Sequence, residues 1–149
     1  MKASTPCILV TVLAAMSAGL SPNVSCAQAL DAQLDCKLSA HDFIAPLLEN
    51  HDIEPIPMHV EANSINAFRA VHDRKLTAFG FHVYAVLGYA HDDAIFEQGT
   101  GQPIDHSAYG AIVRGPNEQV ESRAREEGSS AVVHQVIPFL LTAILCDGQ

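Results

Sequence analysis

Apolar and polar positions alternate along LTAFGFHVYAVLGY, residues Leu76 to Tyr89, for longer than anywhere else beyond the N-terminal segment. Phe79, Phe81, Val83, Ala85, Leu87 and Tyr89 share one parity, while Gly80, His82, Tyr84, Val86 and Gly88 share the other. Period two, with aromatic and β-branched residues, predicts a strand whose first face is far more apolar than its reverse. The rest of the chain is read as flanking and covering it.

Leu30 to Lys37 reads as an irregular or strand-like lead. A short helix follows, capped by Asp42 and starting near Phe43, with Phe43, Ile44, Leu47 and Leu48 on adjoining faces and Pro46 kept close to its start. Ser39 with Asp42 also fits a capping box, but that start sets Pro46 deeper in the helix. Asn50-His51-Asp52, Pro55 and Pro57 end it. Met58 to Ser64 alternates as a half-exposed strand. Ser64 to His72 fits either a helix capped by Ser64 or an extended segment, and the extended form is preferred because a turn at His72 to Lys75 would make a hairpin with the Leu76 strand.

Beyond Tyr89, His91-Asp92-Asp93 reads as a turn, Ala94 to Gln98 as a short returning strand and Gly99 to Pro103 as a loop. Ala108 to Arg114 is a strand. A surface helix starts at Gly115-Pro116-Asn117, runs to Glu127 on a thin stripe of Val120 and Ala124, and is stopped by Gly128. Ala131 to Ile137 and Leu140 to Cys146 are extended and bent at Pro138. Strand, helix, strand from Ala108 onward is long enough for a crossover unit. The class is α+β: a mainly antiparallel sheet of about five strands with one or two helices packed on one face.

The N-terminus changes the reading of compartment. Lys2, an apolar run from Ile8 to Leu20 and Ala27-Gln28-Ala29 are the parts of a secretory signal peptide, so residues 1–29 are read as a cleaved leader and 30–149 as a single domain. The run of about 13 apolar residues is short of the roughly 20 that span a bilayer, which disfavours an uncleaved anchor. Lipidation of Cys26 is a second alternative. Cys36 and Cys146 remain in an exported domain of about 120 residues, where they are expected to form one disulfide rather than two buried thiols. The domain is accordingly placed in the periplasm or outside the cell, with no stable membrane insertion after cleavage.

Composition narrows the partners. With 17 acidic and eight basic residues the formal charge is −9, which disfavours nucleic acid and anionic lipid. The basic residues look scattered, Arg74-Lys75 being their one adjacent pair. No cofactor motif is found.

Eight histidines are the compositional oddity. His91 and Asp93, together with His106, are weak metal candidates, because H-E-x-x-H, C-x-x-C and H-x-H spacings are absent and sequence neighbours in extended chain point apart. A polar site is suggested by His82 and Tyr84 on the less apolar parity of the long strand, flanked by Gly80 and Gly88. His134 joins them only if its strand pairs nearby. The plainer reading is a histidine under a helix or in solvent. No nucleophile elbow is present, and Asp105-His106-Ser107 cannot align as a triad. The favoured function is that of an exported bacterial binding protein of the envelope or exterior, an inhibitor or immunity-type protein with a protein partner. The alternative is a small exported metal-binding protein or hydrolase using histidine and carboxylates.

Overall fold

The computed structural model describes residues 27–148. In chain order it contains β1 (Gln28–Ala29), a 3-10 turn (Gln33–Asp35), α1 (Ala40–Glu49), β2 (His59–Val60), β3 (Asn66–Arg69), β4 (Leu76–Ala78), β5 (Phe81–Tyr89), β6 (Ala108–Arg114), α2 (Asn117–Glu126), β7 (Val132–Ile137) and β8 (Leu141–Asp147). The expected class stands, but the sheet has eight strands rather than about five. Of the strands, β1 is two residues with no readable alternation, β2 keeps only His59–Val60 of the alternating Met58 to Ser64 segment, and β4 is the first part of the Leu76 to Tyr89 stretch, separate from β5. The main order is β1-β4-β5-β6-β8-β7, with β3 also on β5 and β2 on β3. All neighbours are antiparallel except β1 and β4.

The long alternating stretch is a hairpin, not one strand. Phe79 and Gly80 both have positive φ, 51° and 84°, and turn β4 back onto β5. Within β5 the ladder to β6 shifts between Val83 and Ala85, leaving Tyr84 as an extra residue. That bulge ends the predicted parity. Val83 pairs with Val113, but beyond the shift it is Val86 and Gly88 that pair with Ala111 and Tyr109, while Ala85 and Leu87 pair with Ile112 and Gly110. Gly88 therefore belongs to the helix-covered face: a Cβ there would lie 2.8 Å from Ile44 Cγ1 and 2.9 Å from Phe96 Cε1.

Both helices insert their apolar stripes into one core. Phe43, Ile44 and Leu47 of α1, and Val120 and Ala124 of α2, join Val83, Val86, Ala111, Val113 and Ile144. Burial of each large side chain contributes about 1.5–3 kcal/mol. The Phe43 and Tyr109 rings lie 4.7 Å apart, and the buried Tyr109 phenol donates to Gln33 O at 3.0 Å and accepts from Leu38 N at 3.2 Å. Helix α1 begins at Ala40, with Ser39 Oγ accepting from Asp42 N at 3.0 Å. The capping-box start is the one adopted, and Pro46 sits inside the helix, where burial of Phe43, Ile44 and Leu47 outweighs its lost hydrogen bond.

Other expectations are corrected. The lead contains a 3-10 turn, and Ala94 to Gln98 is irregular rather than a strand. Residues from Asn66 to Arg69 are extended as preferred, but β3 and β4 do not pair with each other: both lie along the same side of β5. Strands β6 and β7, joined by α2, run in the same direction with β8 between them. Cys36 and Cys146 form the expected disulfide, 110 residues apart in sequence. The leader reading falls mostly on residues 1–26, outside those described. Gln28 and Ala29 form β1, with Gln28 N donating to Lys75 O at 2.8 Å, so a cut after Ala29 would remove that strand.

Candidate functional site

Where β3 gives way to β4, the side of β5 is left unpaired. Arg69, the end of β3, is opposite Ala85; Thr77 of β4 is opposite His82. Val83 and Tyr84 have no strand partner on that side, because Ala70 leaves to bridge Ile53 and the chain returns only at Leu76. The bulge at Tyr84 widens the same place. The result is a cavity of about 340 Å³ whose lining includes Arg69, Arg74, Lys75, Arg114, His82 and Tyr84.

Four of the eight lysines and arginines thus border one cavity, and no aspartate or glutamate does. Arg74 is held by the buried Asp52, Nε to Oδ1 at 3.7 Å. Among the described residues, Arg69, Lys75 and Arg114 have no carboxylate partner, whereas Lys37, Arg123 and Arg125 each have one. Arg114 lies over the Tyr84 ring, 5.3 Å from its centroid, which fixes the guanidinium at the cavity wall. His82 is opposite Arg114 in the ladder and places Nδ1 2.9 Å from Val83 O.

The polar pair singled out from the sequence, His82 and Tyr84, therefore comes together on an uncovered surface. His134 does not join it. It is exposed on β7, in register with Ala143, and three inter-strand spacings, roughly 14 Å, separate β7 from β5. The metal candidates are also apart: Asp93 pairs with His41 at 2.7 Å, His91 with Asp92 at 2.9 Å, and His106 with Asp147 at 3.2 Å. No group of three or more histidine, cysteine or carboxylate side chains placed to hold a metal occurs among the described residues. The arginines escaped sequence reading because Arg69 and Arg114 are brought together through register with β5; the adjacent pair Arg74-Lys75 was the one local signal.

A second surface lies at the far edge. Strand β7 pairs with β8 alone, so its outer side is unpaired among the described residues. Val132, Val136, Ile137, Phe139 and Leu140 are exposed along it and in the following turn. From Ala131 to Cys146 the chain carries no aspartate, glutamate, lysine or arginine. At the tip, Phe139 is 85% exposed and has φ of 61°. The left-handed region is unfavourable for a bulky residue. Phe79, also at positive φ, is 2% exposed and recovers that cost through burial. Phe139 has no such compensation within the domain.

No protein-family model, no curated protein and no solved structure matches the chain, so its function is argued from its own residues.

Proposed function

We propose that the protein is an exported binding protein that takes a protein partner along the β7 edge and the turn linking β7 to β8. The observation that carries this reading is Phe139, a bulky apolar residue held at the tip of a hairpin in a backbone conformation it disfavours and almost wholly in solvent. Its cost to the isolated domain is recovered when a partner buries the ring. The unpaired outer side of β7 supplies main-chain groups for strand addition, and Val132, Val136 and Ile137 supply apolar contact. Neighbouring α2 is net acidic, with Glu118, Glu121 and Glu126 on it and Glu127 at its end against Arg123 and Arg125, and the chain as a whole has a formal charge of −9. A basic protein presenting an apolar strand or groove is the complementary partner. The disulfide between Cys36 and Cys146 suits work outside the cytoplasm.

Phe139→Asn tests the reading, since asparagine tolerates the left-handed region. The variant is expected to be more stable than the wild type by about 0.5–1 kcal/mol in urea, and to lose the partner. The second readout is quantitative comparison of envelope proteins retained at low salt by immobilised wild type and variant, with light scattering on each to reveal a second copy as the partner. A variant that is less stable and retains the same proteins in the same amounts overturns the reading.

A further inference from the structure

We infer that the cavity bounded by β3, the 70–75 loop and β6 is a binding site for a tetrahedral oxyanion, the phosphate or sulfate group of a small molecule. This site is independent of the β7 edge and lies on the other side of the central strand pair.

The first argument is charge placement. In a chain of formal charge −9, like-signed side chains spread over the surface would each find a carboxylate. Among the described residues, the three cations without one, Arg69, Lys75 and Arg114, all line a single cavity that no carboxylate lines. Grouping them raises the free energy of the empty site by mutual repulsion, and an anion removes that cost.

The second argument is geometry. Arg69 and Arg114 stand on strands that flank β5 on opposite sides, the strands about 10 Å apart at ordinary spacing and the residues offset by two positions, since Arg69 is level with Ala85 and Ile112; long side chains at that separation can converge over β5. Lys75 approaches from the loop, a third direction. A planar carboxylate is served by one arginine fork; three cations arriving from three sides suit the three terminal oxygens of a phosphate or sulfate ester. Arg114 is already oriented by Tyr84, a residue 38% exposed whose ring offers an apolar wall to the remainder of the ligand.

The third argument is exclusion. The volume of about 340 Å³ fits a small molecule. A polyanion would extend beyond the cavity over a chain whose formal charge is −9, which selects against nucleic acid and in favour of a short ligand.

Calorimetric titration of the purified, oxidised protein with inorganic phosphate and with inorganic sulfate tests the site. One of the two is expected to saturate with a Kd of about 1 mM or tighter. Arg69→Gln with Arg114→Gln is expected to weaken that binding by about tenfold or more, while Lys37→Gln with Arg125→Gln, which changes net charge equally, alters it by less than about twofold. Lys75→Gln, in an exposed loop, serves as a second variant should the double substitution reduce folding. Absence of saturable binding by both anions overturns the assignment, as does equal weakening in the charge-matched control. Tighter binding of a short oligothymidylate than of phosphate, lost in the same variants, overturns the small-ligand class.

Discussion

The side chain of Asn66 and the main chain of Glu97 exchange two hydrogen bonds, Nδ2 to O and N to Oδ1, each 2.9 Å long. One buried amide thus behaves as a strand partner for a segment that is not a strand. It also donates to Ser64 O at 2.8 Å, so both amide protons and the amide oxygen are engaged. Asn66→Ala is expected to destabilise the protein by roughly 2–4 kcal/mol, because a fully buried side chain and its three hydrogen bonds to Ser64 and Glu97 are lost together. Urea denaturation measures it; a loss below about 1 kcal/mol would show the segment to be held by Phe96 alone.

Joining Cys36 to Cys146 closes a loop of 110 residues. Reduction, or paired replacement by serine, is expected to lower stability by about 4 kcal/mol, near the chain-entropy value for a loop of this length. Urea midpoints with and without reductant check this, and equal midpoints would refute it.

Burial raises the pKa of Tyr109 above the ordinary value of 10.0. The folded state then holds the phenolic proton more tightly than the unfolded state, so the associated stability is complete below the ordinary value and is lost as pH rises through the raised one. Between about pH 9 and 11 the urea midpoint of the wild type should fall more steeply than that of Tyr109→Phe. At pH 7 the variant should be the weaker by about 1–3 kcal/mol, since Gln33 O and Leu38 N lose their shared partner. Parallel pH profiles would contradict the assignment.

Two glycines should lose stability to alanine for different reasons and by different amounts. At Gly110 an added Cβ would overlap the carbonyl oxygen of Ile144, so Gly110→Ala forces β6 and β8 apart and is expected to cost about 3 kcal/mol or more. At Gly128 nothing lies within 4 Å and the penalty is that of a φ of 76°, about 1 kcal/mol. Thermal melts of the two variants separate steric from backbone cost, and a similar fall in both would invalidate the distinction.

Local signals were read correctly from the sequence where the pattern is long and its punctuation clear. Strand Ala108–Arg114 and helix Asn117–Glu126 lie where Gly115-Pro116 and the stripe of Val120 and Ala124 place them. Alternation failed at Tyr84, since a bulge inserts one residue and exchanges the faces of everything after it. It failed again at Phe79-Gly80, where the burial of Phe79 makes a turn resemble continuous strand. Half of the cavity was visible: His82 and Tyr84 are neighbours in the strand, whereas Arg69 and Arg114 approach them only through register. His134 would join them only if its strand paired with β5, and the intervening β6 and β8 keep it away.

The position of β8 has a consequence for how the chain matures. Strands β6 and β7 precede it in synthesis, yet each is joined to the other only through it, and Cys146 at its end is the partner that Cys36 awaits. Until Leu141–Asp147 is present, β7 has no place in the sheet and Cys36 no partner, whereas β1 to β6 can already pair among themselves. The last strand thus completes two things at once, the docking of β7 and the covalent closure of the chain, and neither can precede it.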